Sequence, residues 1–273
     1  MKIFRTTSEL IKWRKEGVLG LLGFVPTMGA LHEGHASLLR SARKESDVVV
    51  LSILVNPTQF GDVSDLENYP KTLEKDLKIA EKEGVDAVFA PTPEDLYGGI
   101  PSADNVDWGA ITSDFEAEFR PGHFNGVVAV VDKLFTTINS DKAFFGEKDL
   151  QQVAVIRRLA LLHHNEVEIV SCDLIRDSDE LALSSRNIRL SREGRTIALE
   201  LSKSLKAIFN SSNKVGQIRL ETSRIDAIEG LDLDYLAGVN EVTYSKNDDP
   251  QSWTHAIIAA EVDGVRLIDN IRL

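Results

Sequence analysis

The chain has 273 residues, 42% hydrophobic and 27% charged, the composition of a soluble globular protein with one large core or two domains. Its formal net charge of −12 excludes nucleic acid and anionic membrane as expected partners, since both would be repelled. The single cysteine, Cys172, excludes an internal disulfide. With no apolar signal segment at the start and no run of membrane-spanning length, the expected location is the cytoplasm.

The first two-thirds alternate between helix and strand patterns. Thr6 and Glu9 have the spacing of a capping box, opening a short helix to about Glu16. Residues 19–25 form an apolar strand that stops at Pro26. Residues 34–45 read as a helix with Leu38, Leu39 and Ala42 on one face. Residues 47–55 are nearly all apolar, the mark of a strand buried on both sides. Helix patterns at 70–83, 125–139 and 149–164 then alternate with strand patterns at 85–90, 142–145 and 167–172, the last ending on Cys172. Such alternation predicts an α/β fold, a parallel sheet with helices on both faces and ligands at the carboxyl ends of the strands.

The texture changes after Asp173. A long helix is expected over 191–210, and strands over 232–238 and 255–268, the latter turning at Val262-Asp263-Gly264. The expected division is therefore a larger α/β domain, 1–173, and a smaller α+β domain, 174–273, packed over the ligand edge of the sheet. There is no internal repeat, no P-loop and no G-x-G-x-x-G.

Four segments carry chemistry. His32 and His35 follow a strand and a glycine-containing loop, at the start of a helix. A helix N-terminus favours phosphate, and imidazoles three residues apart share one face of the first turn. The plain alternative is an ordinary histidine pair. A zinc site lacks the H-E-x-x-H spacing. Asn56 and Gln59 lie in a turn after the second buried strand and offer neutral donors and acceptors for hydroxyls, amides or carboxylates. Alone they mark only a turn. In Gly146-Glu147-Lys148-Asp149, Gly146 permits close approach of a nucleotide. Lys148 is a cation at a helix start, where the dipole disfavours it, so a bound anion or a surface pair with Asp149 accounts for it. Ser184-Ser185-Arg186 combines small hydroxyls with a guanidinium fork, as phosphate sites do and as polar turns also do.

Together with PTMGALHEGH, VNPTQF, FRPGHF, FFGEKDLQQVAVIRRL, LALSSRN and DGVRLIDN, these segments make the chain similar, over nearly its whole length, to the pantothenate synthetase (pantoate–β-alanine ligase) family of the HIGH-motif nucleotidyltransferases. The resemblance implies a Rossmann-like domain, a small C-terminal lid and a homodimer. It implies ATP-dependent condensation of pantoate with β-alanine through pantoyl-adenylate, releasing pyrophosphate and AMP. His35 is then the proton-donating catalytic residue, with His32, Lys148 and Arg186 beside it. ATP contacts fall on Met28, Gly29, Ala30, Leu31, His32, Glu33, Gly34 and His35, on Gly146, Glu147, Lys148 and Asp149, and on Ile175, Leu183, Ser184, Ser185 and Arg186. Gln59 and Gln152 hold pantoate, with Gln59 also near β-alanine. ATP enters as a substrate with Mg²⁺ on its phosphates, so no protein metal ligands and no organic cofactor are expected. The alternative is a nucleotidylyltransferase of the same fold acting on a phosphorylated substrate. It would need a further cationic pocket, whereas Gln59 and Gln152 suit a hydroxyl-rich one.

Two positions depart from the family pattern. Asn125 replaces an arginine in H-F-R-G-V, and as the expected first residue of a helix it reads as an N-cap. Glu180 replaces a glycine in D-G-L-A, which bears on a hinge.

Overall fold

In the computed structural model, which describes residues 1–17 and 20–273, the alternating patterns build one six-stranded parallel sheet. Its strands are β1 (Lys2–Phe4), β2 (Leu22–Thr27), β3 (Val48–Ile53), β4 (Ala87–Phe89), β5 (Lys142–Gly146) and β6 (Glu168–Cys172), in the order β1-β4-β3-β2-β5-β6. β1 has no counterpart in the sequence reading, because a three-residue edge strand with Lys2 and Ile3 exposed shows no alternation. Thr6 closes the expected capping box on the helix Thr7–Lys15, with the Glu9 carboxylate accepting from the Thr6 amide.

β2 lies further along the chain than the apolar pattern indicates. Leu19 falls outside the described residues, and the strand runs through Pro26 instead of stopping there. β5 pairs with β2 only at Gly23 and Phe24, whereas β3 pairs with it from Leu22 to Thr27. Pro26 therefore sits where β2 has a partner on one side only, and its missing N–H costs no ladder bond. β3 is buried on both faces as its composition requires, with Val49, Val50 and Leu51 inaccessible. The helix Glu33–Glu45 packs Leu38, Leu39 and Ala42 into one cluster with Val25, Leu51 and Phe144.

The order of strands has a functional consequence. From β2 the chain adds β3 and β4 on one side, then β5 and β6 on the other. Ligands of open parallel sheets bind outside the carboxyl ends of the strands at such a reversal. The loops leaving β2 at Thr27 and β5 at Gly146 flank it.

The chain forms two compact units. The first is Met1–Asp107 with Arg120–Glu147 and Val155–Asp173, and the second is Trp108–Phe119 with Lys148–Ala154 and Leu174–Leu273. The second holds an antiparallel sheet of β7 (Asp232–Val239), β8 (His255–Val262) and β9 (Val265–Arg272). β8 and β9 turn at Asp263 and Gly264, both at positive φ, the geometry of a two-residue hairpin loop. Ser191 caps the helix Arg192–Asn210, which packs Ala198, Leu201, Leu205 and Ile208 against Ala256, Ile258 and Ala260 of β8. A further helix, Lys214–Ile225, has too few apolar residues to announce itself and is anchored by its Asn213 cap. Ile257, on the other face of β8, joins Phe115, Leu150, Val239 and Tyr244 in a second cluster. Among the described residues no helix is long and apolar enough to cross a membrane.

Candidate active site

The loop leaving β2 is shaped before the helix begins. Gly29 has φ 83° and Ala30 φ 51°, both left-handed. A Cβ on Gly29 would meet Asp76 Oδ2 at 3.0 Å and Ile53 at 3.1 Å, so only glycine combines that backbone with that packing. Leu31 is buried, and His32 becomes the N-cap of Glu33–Glu45.

The two histidines cap reciprocally. The Gly34 amide donates to His32 Nδ1 at 3.2 Å, and the His32 amide donates to His35 Nδ1 at 3.3 Å. Their ring centroids are 4.1 Å apart. An Nδ1 that accepts leaves the ring proton on Nε2, so this hydrogen bonding assigns both rings the same tautomer. Each ring then carries its donor on the nitrogen opposite the cap, at a helix end that already favours an anion.

The turn after β3 is a tight polar cluster. Asn56, fully buried, donates through Nδ2 to Gln59 Oε1 and to the Gly126 carbonyl, both at 3.0 Å. Its Oδ1 accepts from Tyr97 at 2.9 Å and from Thr58 at 3.0 Å. Asn56 is thus committed to the protein and organises the turn. Burial pushes the Tyr97 phenol above its usual range. Gln59 Nε2 donates to Met28 Sδ at 3.4 Å, so the structure joins the expected pantoate residue to the expected nucleotide loop. His123 Nδ1 donates to the Gln59 carbonyl at 2.9 Å and Arg120 donates to its Nε2 at 3.1 Å, which fixes the opposite tautomer there. A Cβ on Gly126 would stand 2.3 Å from the Thr58 carbonyl oxygen, so this glycine lets the helix His123–Ile138 lie directly on the turn.

Asn125 is not the N-cap the sequence suggests. The helix begins at His123 with Gly122, at φ 77°, as its cap. Asn125 sits in the first turn and its Oδ1 accepts from the Val106 amide at 3.0 Å. The preceding Pro121-Gly122 turn starts the helix earlier than the apolar pattern shows.

In the second unit, Lys148 and Asp149 lie in a short 3₁₀ turn, Glu147–Asp149, with the ammonium 3.7 Å from the carboxylate. The Lys148 carbonyl accepts from Asn270 Nδ2 at 3.3 Å. Gln152 is half-buried, whereas its neighbour Gln151 is buried and structural. Gln151 accepts from the Glu116 amide and donates to the carbonyls of Ile111 and Asp114. Ile175 accepts from the Leu183 amide at 3.0 Å, closing a loop in which Arg176 makes a two-pronged pair with buried Asp269 at 2.6 and 2.8 Å. Burial raises the Asp269 carboxyl above its ordinary value despite that pairing. Ser184 uses its hydroxyl to cap the turn Ser185–Arg189, accepting from the Arg186 amide at 3.2 Å. Glu180 stands at φ 76°, a left-handed conformation that favours glycine.

Several organising residues have no signal in the sequence. Asp76 reads as an ordinary acidic residue in a first turn, yet it is buried and bonded to the β2 loop. Glu116 lies in a stretch without pattern. It receives Arg266 at 2.6 Å and Tyr235 at 2.8 Å. Burial would lower the Arg266 pKa, but Glu116 outweighs that and holds the guanidinium well above its usual value. Asp269 and Asn270 fall within DGVRLIDN, so there the motif marked the place and not the role.

Residues 2–272 match the pantoate–β-alanine ligase family. The chain is 44% identical to a pantothenate synthetase of Phocaeicola vulgatus, covering 100% of this chain and 99% of that one. It is 43% identical to a pantothenate synthetase of Christiangramia forsetii, with the same coverage. Its fold resembles the crystal structure of pantothenate synthetase from Thermus thermophilus (TM-score 0.91, 38% identity, 100% and 99% covered). It also resembles the pantoate–β-alanine ligase of Francisella tularensis complexed with β-γ ATP and β-alanine (TM-score 0.83, 33% identity, 100% and 97% covered).

Proposed function

The chain belongs to the pantoate–β-alanine ligase family, and from that premise we propose how its residues carry out the ATP-dependent joining of pantoate to β-alanine. The reaction runs in two halves. The pantoate carboxylate attacks the α-phosphorus of MgATP, forming the acyl–phosphate bond and expelling pyrophosphate. The β-alanine amine then attacks the acyl carbon and loses a proton, and AMP leaves with the electron pair of the broken C–O bond. A carboxylate needs little activation, so the work of the first half is stabilising charge on phosphate.

The observation that carries this reading is the reciprocal cap of His32 and His35. Both rings present Nε2 donors at a helix N-terminus beside the reversal of strand order. His35 is assigned the proton donor. His32, Lys148 and Arg186 add charge or hydrogen bonds to phosphate, and the backbone of Met28–His35, Gly146–Asp149, Ile175 and Leu183–Arg186 cradles the nucleotide. Gln59 and Gln152 orient pantoate, Gln59 held by Asn56 so that its Nε2 faces Met28. Mg²⁺ belongs to the nucleotide substrate in this reading, carried on its phosphates with water as its other ligands. The enzyme is read as a cytoplasmic homodimer.

Pyrophosphate exchange tests the order of steps. Labelled pyrophosphate should enter ATP when pantoate is present and β-alanine is not, and EDTA should abolish the exchange. Exchange that needs β-alanine, or that proceeds with a phosphorylated acceptor in place of pantoate, would defeat the assignment.

A further inference from the structure

Asp76 is the group on which the β2 loop hangs. It lies in the first turn of the helix Leu73–Lys82, and only 1% of it is exposed. Its Oδ2 accepts from the Ala30 amide at 3.0 Å, and its Oδ1 accepts from the Leu31 amide at 2.8 Å and the Thr72 hydroxyl at 3.1 Å. Thr27 Oγ1 accepts from the amide before these, that of Gly29, at 3.2 Å. Two side chains therefore hold three successive amides, and the next residue in the chain is His32. We propose that Asp76 is a positioning residue that sets the His32–His35 pair for its work on the nucleotide; the proposal rests on the reading of those histidines as phosphate-facing.

The chemistry explains why this position takes a carboxylate. Only a carboxylate accepts from both amides at once; an asparagine offers one oxygen and would turn an N–H toward the second amide. The strain explains why the hold is needed. Ala30 occupies left-handed φ, which an L residue keeps only where its surroundings enforce it. Without Asp76, Ala30 relaxes toward ordinary φ and carries the cap residue with it. A buried acid beside a phosphate site is an electrostatic cost, and the geometry it enforces is what offsets it.

The test compares the full-length protein with Asp76→Asn, Thr72→Val and His35→Ala. Two readouts are used, pantoate-dependent pyrophosphate exchange and amide hydrogen exchange. In Asp76→Asn, kcat/KM for ATP should fall about 10²-fold, the scale for displacing a catalytic group by an ångström, with the KM for pantoate nearly unchanged. The amides of Ala30 and Leu31 should exchange faster while those of Val49 and Leu51 stay protected, a pattern a general loss of stability would not give. Thr72→Val keeps the carboxylate and should show a weaker form of the same split, which decides the matter if Asp76→Asn does not fold. Normal kcat/KM in both variants beside an impaired His35→Ala overturns the inference. So does faster exchange that is equal in loop and core. Full activity in His35→Ala would instead overturn the reading of the histidines.

Discussion

Two regions of the molecule, one in each compact unit, are ordered in different ways. The β2 and β3 exits of the first unit are held by directed hydrogen bonds among buried and half-buried groups and by close backbone contact. Asp76 binds two amides, each histidine caps the other, Asn56 has every bond spoken for, and Gly126 lies on the Thr58 carbonyl. The second unit adds to its apolar clusters a set of charge pairs. Arg195 grips Asp177 and Asp179, Lys206 meets Glu180, and Arg224 binds Glu200 and Glu221. Buried directed bonds are nearly indifferent to salt and hold one geometry, whereas partly exposed ion pairs weaken with salt and acid. The first region is built to fix a geometry. The second is built from contacts that conditions can loosen.

The largest expected effect breaks the first region chemically. His35→Ala should lower the rate of adenylate formation by about 10²–10³-fold, the scale for losing one group that stabilises transition-state charge. It also removes half of a cap, so stability should fall by about 0.5–2 kcal/mol. A loss of stability with an unchanged rate of pyrophosphate exchange would mean that His35 is a cap and nothing more.

Breaking the same region sterically should cost less in rate and more in stability. Gly126→Ala puts a methyl 2.3 Å from the Thr58 oxygen and 2.5 Å from the Gln59 nitrogen, which the helix can relieve only by moving. A loss of about 1–3 kcal/mol is expected from overpacking, with a raised KM for pantoate because Gln59 moves too. Urea melts and steady-state kinetics check this, and a neutral outcome would show that the turn is softer than its packing implies.

The second region can be sharpened by acid. Burial alone would raise the Glu221 pKa, but hydrogen bonds from Arg224, Ser204 and Gln217 outweigh it and hold the carboxyl below its ordinary 4.5; Glu200 is lowered in the same way by Lys203 and Arg224. A depressed folded pKa gives stability that is full above the unfolded value and lost as pH falls through the folded one. Asp269 acts in the opposite sense: its raised pKa favours the folded state most at low pH, and that advantage fades as pH rises through the folded value. The carboxylates around Arg224 should dominate below their ordinary pKa of 4.5, so the melting temperature should fall there, and Glu221→Gln should flatten the fall. Parallel pH profiles for the two proteins would remove this network from the account.

The smallest effect concerns Glu180. Glycine there relieves left-handed strain worth about 1–2 kcal/mol. It also loses the exposed Lys206 pair, worth about 0–1 kcal/mol, and adds unfolded-chain entropy of about 0.5–1 kcal/mol. Glu180→Gly should therefore be neutral to slightly stabilising in urea melts, and its effect should grow at high salt, where the pair is already screened. Clear destabilisation would show that the Lys206 contact outweighs the strain.

What the sequence determined by itself is whatever a few neighbouring residues encode. Alternation and amphipathic spacing announced the α/β sheet, Thr6 and Glu9 announced a cap, and the ordered motifs announced the family. The spacing of His32 and His35 placed both at one helix end. Tertiary structure decided the rest, because it depends on which distant segments meet. Asp76 reaches Leu31 across 45 residues, and Arg266 reaches Glu116 across 150. No local window distinguishes such an acid from one facing water. The extension of β2 through Pro26 depends on β5 leaving its side early, and the role of Asn125 depends on Val106 lying beside it. Short-range preferences are written in the chain as patterns. Long-range pairings exist only once the strand order has brought their partners within a hydrogen bond.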